Sequence, residues 1–375
     1  MSDKIIQVSK VLPFPKRQIA DIDICKKIDG MWDFDKKFMI LSGPPGVGKT
    51  RTSEDYIYRK LEVLSPHLTV DATRLSNLFP EFRTKVYSTS EITDILSKYE
   101  VKFVWDLAVL HPQYSYEDLI RGYKVFPLEK SSTLKVREGL LGFMSRVVEV
   151  LEASTGLCSE PQGLLVLDEI NRAPIGQLFG EAIYALDRRG QKTTTPYELE
   201  GFDGSLVIPK TLMILGTMNS IDRATSGFDY ALRRRFANIF VKPSRIAVEE
   251  IWNNLNSTVK MIGPQLFDIT KELIIGSEQL GTIPKEELVL GQAYFIPPEN
   301  SRTSSEDTIK WMLFSYLYQI FPTLLDYQEQ GLLQYDEDAV GRIPMGNILL
   351  NKDDIYQTNE EMLEHEFKGF FNAGK

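Results

Sequence analysis

Gly43-Pro44-Pro45-Gly46-Val47-Gly48-Lys49-Thr50 fills every fixed position of the pattern G-x-x-x-x-G-K-[ST]. Glycines at these places let a backbone approach phosphate oxygens with no side chain in the way. The loop amides and the positive end of a following helix then meet the negative charge. In such a loop Lys49 reaches the β- and γ-phosphates and Thr50 ligates Mg²⁺, with Arg51 counted beside them as a nucleotide-binding residue. The apolar run Phe38–Ser42 before the loop reads as a buried strand, and residues 51–61 after it can continue as a helix. A glycine-rich turn that matches by chance lacks this strand–loop–helix context.

A second group of polar residues follows two more apolar runs. Leu164-Leu165-Val166-Leu167 ends in Asp168 and Glu169. In an α/β sheet, functional groups gather at the carboxyl ends of strands. Asp168 placed there can hold the water shell of Mg²⁺, and Glu169 can orient or deprotonate an attacking water. Alone, such a strand end is commonly just solvated, but its position downstream of Lys49 in an alternating α/β pattern gives it a role. Leu212-Met213-Ile214-Leu215-Gly216-Thr217-Met218 ends in Asn219. A neutral amide can hydrogen-bond both a γ-phosphate and the attacking water without adding repulsive charge, so Asn219 is the expected γ-phosphate sensor. Ten residues on, Asp229-Tyr230-Ala231-Leu232-Arg233-Arg234-Arg235-Phe236 puts three arginines at the end of a short helix. An arginine run is ordinarily a solvated surface. In oligomeric P-loop motors an arginine at this place stabilises transition-state charge in the neighbouring subunit. Arg234 or Arg235 is expected to do so here, leaving the others for an in-chain salt bridge or an inter-subunit contact.

These residues need a sheet to position them. Buried strands are expected at Phe38–Ser42, Lys102–Leu107, Leu164–Asp168, Leu212–Gly216 and Ile239–Val241, with helices at Val136–Leu151 and Ile175–Arg188 between them. Strands alternating with helices predict an α/β fold with a central parallel sheet flanked by helices. After Pro243 the pattern becomes helical, at Ala247–Leu255, Leu266–Ile275 and Thr308–Ile320, which predicts a C-terminal α-helical lid. In the last of these, Trp311, Phe314 and Leu317 read as core packing. The expected organisation is an N-terminal strap over residues 1–37, held extended by Pro13 and Pro15, a nucleotide-binding domain over 38–243, and the lid with a C-terminal extension over 244–375. Within that extension, Asn359–Lys375 can form a helix anchored by Met362, Phe367 and Phe370.

Composition narrows the class further. A chain of 375 residues is long enough for about two domains. Its formal net charge of −9 gives no sign of a protein that wraps nucleic acid by global charge. Cys25 and Cys158, the two cysteines, support neither a disulfide framework nor a zinc site. No secretory signal is visible at the N-terminus and no apolar run reaches the length of a membrane span, so the expected location is a reducing cytoplasm.

The ordered set of motifs resembles the AAA+ superfamily of P-loop NTPases, and its details look like the motor subunits of McrBC modification-dependent restriction systems. Asp168-Glu169-Ile170-Asn171-Arg172-Ala173 is similar to that family's extended Walker B. Met218-Asn219-Ser220-Ile221-Asp222-Arg223 and the arginine block resemble its M-N-x-x-D signature. His111-Pro112-Gln113-Tyr114-Ser115-Tyr116-Glu117-Asp118 resembles its H-x-S-Y-S-Y-E-D segment, and Gly291-Gln292-Ala293-Tyr294-Phe295 its G-H-S-Y-F. The resemblance implies a ring, hexameric in form, that prefers GTP over ATP, uses Mg²⁺, and translocates DNA with a separate McrC-like nuclease subunit. The residues themselves would accept ATP equally. Gln292 stands where the family often has histidine, and a glutamine can donate a hydrogen bond but carry no proton charge. Members usually carry a DNA-reading module, whereas only some 37 residues precede the first strand here. The rival reading is a MoxR-like chaperone that uses ATP to remodel proteins.

Two segments keep open alternatives. In His111–Asp118 the tyrosines can pack while Glu117 and Asp118 cap the next helix, or the loop can contact a partner. Gln191–Ile208 reads as a hairpin that is either an ordinary surface element or a projection toward a ring's pore. The positive charges at Lys98–Lys102 and Arg121–Lys124 are no nucleic-acid signature by themselves.

Overall fold

The computed structural model describes residues 22–127, 132–156, 159–197, 204–221, 234–256, 259–334 and 360–372. Nine strands lie among the described residues up to Phe240. They are β1 (Phe38–Gly43), β2 (Val104–Val109), β3 (Arg121–Pro127), β4 (Ser132–Glu138), β5 (Gly163–Asp168), β6 (Lys192–Thr194), β7 (Ser205–Val207), β8 (Leu212–Asn219) and β9 (Ala237–Phe240). Five of them form the central parallel sheet in the order β2-β5-β8-β1-β9, flanked by helices. Every residue of β1 is buried, and β5 and β8 are buried up to their last residue. Strands covered on both faces read as unbroken apolar runs, which is why these three stand out in the sequence.

The register is fixed by continuous pairing. β2 pairs with β5 from Val104↔Gly163 to Val109↔Asp168, and β5 pairs with β8 from Gly163↔Leu212 to Leu167↔Gly216. β2 begins two residues later than the apolar run suggests. The Lys102 amide is taken by Ser65 Oγ at 3.2 Å, so the ladder opens with Val104 N–H on Gln162 O. β8 runs on to Asn219, which places Thr217 and Asn219 on the strand itself.

Two helical expectations are corrected. Val136–Glu138 belongs to β4, and the helix is Leu140–Thr155, because these residues pair with Arg121–Tyr123 in an antiparallel hairpin. Ile175–Arg188 is two short helices, Ile175–Phe179 and Ala182–Asp187, broken at Gly180 with φ of 48°. A Cβ at Gly180 would lie 2.9 Å from the Tyr116 ring, so the break and the packing of Tyr116 are one feature. Within the expected strap, Ile22–Asp33 is a helix that buries Ile24, Cys25, Ile28 and Trp32. Pro13 and Pro15 lie outside the described residues, as does Cys158.

The main core is aromatic around Phe143, whose ring stacks on Phe82 at 5.2 Å and meets Phe79 edge-on at 5.2 Å. The hairpin β3–β4 is anchored to this core at its base, where Arg121 and Glu138 are both buried. Glu138 also accepts a hydrogen bond from Arg146, whose other nitrogen reaches Tyr87 O at 2.5 Å. A buried carboxylate held this way avoids the cost of an unpaired charge.

The chain divides into two compact units, Met1–Ser42 with Lys49–Ile239 and Gly43–Gly48 with Phe240–Lys375. Among its described residues from Arg245 on, the second unit is helical apart from one two-residue strand pairing, Glu278–Gln279 with Leu333–Gln334. It contains Arg245–Asn253, Ile262–Gly276 and Glu360–Asn372, and Ser305–Ser315 runs through a π-helical turn, Tyr316–Ile320, into Phe321–Glu329. Leu317 is core, as expected, but Phe314 is 40% exposed and packs on the likewise exposed Tyr318. Leu363 and Phe367 anchor the last helix; the side chains of Met362 and Phe370 lie outside the description. Among the described residues no helix is long and apolar enough to cross a membrane. Phe143→Ala should cost about 3–5 kcal/mol, read as a lower urea midpoint. Val125→Ala, on the exposed hairpin, should stay within about 0.5 kcal/mol of the parent.

Candidate functional site

The parallel pairing of β5 with β8 sets Asp168 beside Thr217, one residue beyond the last pair. Thr217 Oγ1 donates to Asp168 Oδ1 at 2.5 Å and accepts the Glu169 N–H at 3.1 Å. Thr50 Oγ1, from the first turn of the helix Lys49–Leu64, donates to the same Asp168 oxygen at 2.7 Å. Asp168 is thus held by two hydroxyls, which fix its direction.

Lys49 and Glu169 are bridged by Asn219. Lys49 Nζ donates to Asn219 Oδ1 at 2.7 Å, and Asn219 Nδ2 faces the two Glu169 carboxylate oxygens at 3.2 and 3.3 Å. An amide offers an acceptor to the cation and a donor to the anion, and an aspartate here would repel Glu169. Arg172 Nε lies 3.4 Å from Glu169 Oε2. Glu169 itself is in the left-handed region at φ 55°, ψ 47°, where the chain leaves β5 for the 3₁₀ turn Ile170–Arg172. A non-glycine residue there is strained by about 1–3 kcal/mol and persists only if its surroundings hold it. Thr217, by accepting the Glu169 amide, is one of the groups that hold it.

The structure therefore brings Lys49, Thr50, Asp168, Glu169 and Asn219 into one hydrogen-bonded network. The glycine-rich loop behaves as its composition demands. Gly46 and Gly48 have φ of 78° and 83°, and a Cβ on Gly43 would lie 2.4 Å from Val241 O. Pro44, Pro45 and Val47 complete the loop. Arg51 is engaged along its own helix, with Nε 3.2 Å from Asp55 Oδ1.

The arginine pair divides. Arg235 is 8% exposed and grips Asp187 with both nitrogens of its fork, Nε at 2.8 Å from Oδ1. Arg234 is 69% exposed, and its Nη2 is 3.8 Å from Asp187 Oδ2. Asp222, Arg223 and Asp229–Arg233 lie outside the described residues.

In the tyrosine-rich segment, Ser115 caps the helix Tyr116–Leu119 through a reciprocal box with Asp118. Tyr116 hydrogen-bonds Glu181 and stacks on Tyr197 at 5.6 Å; the Tyr197 hydroxyl donates to Glu117 at 2.9 Å. Burial, reinforced by Glu117, pushes the Tyr197 phenol up to about 12, and burial with Glu181 raises that of Tyr116. Burial alone would raise the Asp118 carboxyl, yet the hydrogen bonds from Ser115 and the Arg137 guanidinium hold it below the usual range. These groups stabilise one another.

Residues 87–236 match the model of the AAA domain (dynein-related subfamily). Over these residues the chain has the fold of an AAA domain. The match runs from just before the helix Thr89–Lys98 through Asp168, Glu169 and Asn219 to the residue after the arginine pair. The Type IV methyl-directed restriction enzyme EcoKMcrB subunit of Escherichia coli (strain K12) is 26% identical over 301 residues, 78% of this chain and 54% of that protein. The chain thus spans about half the length of the curated relative it matches. A crystal structure of a candidate ATPase from Cytophaga hutchinsonii covers 92% of each chain at 11% identity, with a TM-score of 0.30, too low to bear on the fold.

Sequence reasoning missed Thr217. Its one trace is a hydroxyl near the end of an apolar strand, 2% exposed once folded. Thr217→Val should orphan the Glu169 amide and cost about 1–3 kcal/mol in thermal unfolding, whereas Thr217→Ser should recover most of it.

Proposed function

We propose that this chain is a Mg²⁺-dependent nucleoside triphosphatase that prefers GTP to ATP. It works as a subunit of a hexameric ring in the cytoplasm and drives DNA translocation and cleavage by a separate McrC-like nuclease subunit. The observation that carries the reading is the bridge Lys49–Asn219–Glu169 beside the Thr50–Asp168 hydrogen bond. It supplies a phosphate-binding cation, a neutral sensor, a base and a metal-facing carboxylate. The restriction-enzyme relative supports the wider role. The organisation proposed with it is the N-terminal segment 1–37, the nucleotide-binding domain 38–243 and the lid with its extension, 244–375.

The donor set fits Mg²⁺. Asp168 Oδ1 and Thr50 Oγ1 are hard oxygen ligands 2.7 Å apart, and Mg²⁺ takes few protein ligands and keeps phosphates and waters. No group of three or more His, Cys, Asp or Glu that could hold a metal ion is found among the described residues, and this mode of binding needs none. Bound there, the ion would neutralise charge on the β- and γ-phosphates. Lys49 binds the same oxygens. Asn219 turns its amide between the γ-phosphate and the water, and Glu169 orients that water and accepts its proton. Arg235 is committed to Asp187, so Arg234 is the arginine that reaches a neighbouring subunit.

Steady-state phosphate release with GTP and with ATP, each with and without duplex DNA and the nuclease subunit, tests the whole reading. GTP turnover that rises with the nuclease is expected. ATP turnover indifferent to both partners would move the chain to the protein-remodelling class. Lys49→Ala should abolish nucleotide binding. Glu169→Gln should bind nucleotide and lose about 10²- to 10⁴-fold in turnover. Arg234→Ala should lose about 10³-fold or more, with partial recovery in rings mixed with Glu169→Gln subunits, because the arginine acts in trans. Arg235→Ala should chiefly lower thermal stability.

A further inference from the structure

One turn of the second unit holds the glycine-rich loop by its carbonyls. The Gly291 N–H donates to Pro45 O at 3.1 Å, the Ala293 N–H to Gly46 O at 2.9 Å, and Gln292 Nε2 to Val47 O at 2.7 Å. The other end of the Gln292 amide is also used, since its Oε1 accepts the Ser244 N–H at 3.1 Å. The approach is as close as backbones allow. A Cβ on Gly291 would lie 2.1 Å from the Gly46 carbonyl carbon, and one on Gly46 would lie 2.8 Å from the Tyr294 ring.

These bonds have a consequence for the opposite side of the loop. In a planar trans peptide the C=O and the next N–H point in opposite directions. Pinning the carbonyls of Pro45, Gly46 and Val47 to the turn therefore aims the amides of Gly46, Val47 and Gly48 away from it. Successive amides presented this way make an anion-binding concavity.

We propose that Gln292 is a positioning residue for the glycine-rich loop, setting the direction of its phosphate-facing amides and tying the loop to Ser244 at the start of the helix Arg245–Asn253. Gln292 acts through the loop and does not touch the nucleotide. A glutamine suits the task because one neutral side chain provides both the donor for Val47 O and the acceptor for the Ser244 N–H. The proposal rests on the reading that this loop binds a nucleoside triphosphate.

Affinities for fluorescent GTP and GDP, with thermal unfolding of the same samples, test it on the full chain. Gln292→Met keeps the side-chain volume and removes both hydrogen bonds. It should weaken GTP and GDP about equally, by about three- to tenfold, the factor for one lost hydrogen bond. Gln292→Glu keeps the acceptor for Ser244, loses the donor to Val47 and adds a negative charge, so it should weaken both at least as much, and it serves if the methionine variant folds poorly. A loss confined to GTP would make Gln292 a γ-phosphate sensor and overturn the proposal. A lower unfolding temperature with both affinities unchanged would make it merely structural and overturn it too. Absence of nucleotide binding by the parent chain would overturn the underlying reading instead, which separates the two failures.

Discussion

The parallel register between β5 and β8 is the constraint on which the rest of the site depends. It sets Asp168 beside Thr217, with Glu169 and Asn219 each one or two residues further on. Side chains alternate faces along a strand, so a slip of one residue would bring Met218 to the place of Thr217 and turn the amide of Asn219 away from Glu169. The register is secure because both strands are buried on both faces, and any slip would mismatch Leu164–Leu167 against Met213–Gly216. A hydrophobic interaction in the middle of the sheet thus sets polar geometry at its edge.

Within that geometry two adjacent carboxylates have different surroundings. Asp168 receives hydrogen bonds from two hydroxyls, Thr50 and Thr217, which orient it. Glu169 faces an amide and an arginine, and its backbone is turned out of the strand into the left-handed region. In the proposed function the first arrangement holds a cation and the second orients a water molecule. Chemically similar groups are separated in role by environment alone. The glycine-rich loop follows a related logic, its outward amides being set by hydrogen bonds to its inward carbonyls.

Other polar residues are used to hold structure. The Arg121–Glu138–Arg146 cluster ties the hairpin β3–β4 to the helix Leu140–Thr155. Tyr116, Tyr197, Glu117 and Glu181 lock a short helix against its neighbours. In the second of these the groups that look reactive in a linear reading are satisfied by one another. Asp187 does the same for Arg235 and leaves Arg234 outward.

The sequence by itself determined the α/β class, the strands β1, β5 and β8, and the identity of Lys49, Thr50, Asp168, Glu169 and Asn219 as the polar group to watch. Those features are local: an apolar run covered on both faces and a loop of glycines carry their meaning in consecutive residues. The hairpin β3–β4 was not legible, because its alternation is short and Val136–Glu138 runs directly into a helix. Thr217 was hidden in an otherwise apolar strand, and the partner of Arg235 lies 48 residues upstream. Which arginine is committed, which hydroxyl holds Glu169 and what Gln292 grips were decided only by tertiary structure. Each depends on a hydrogen bond between residues far apart in the chain, and one sequence records the groups but not which of them meet.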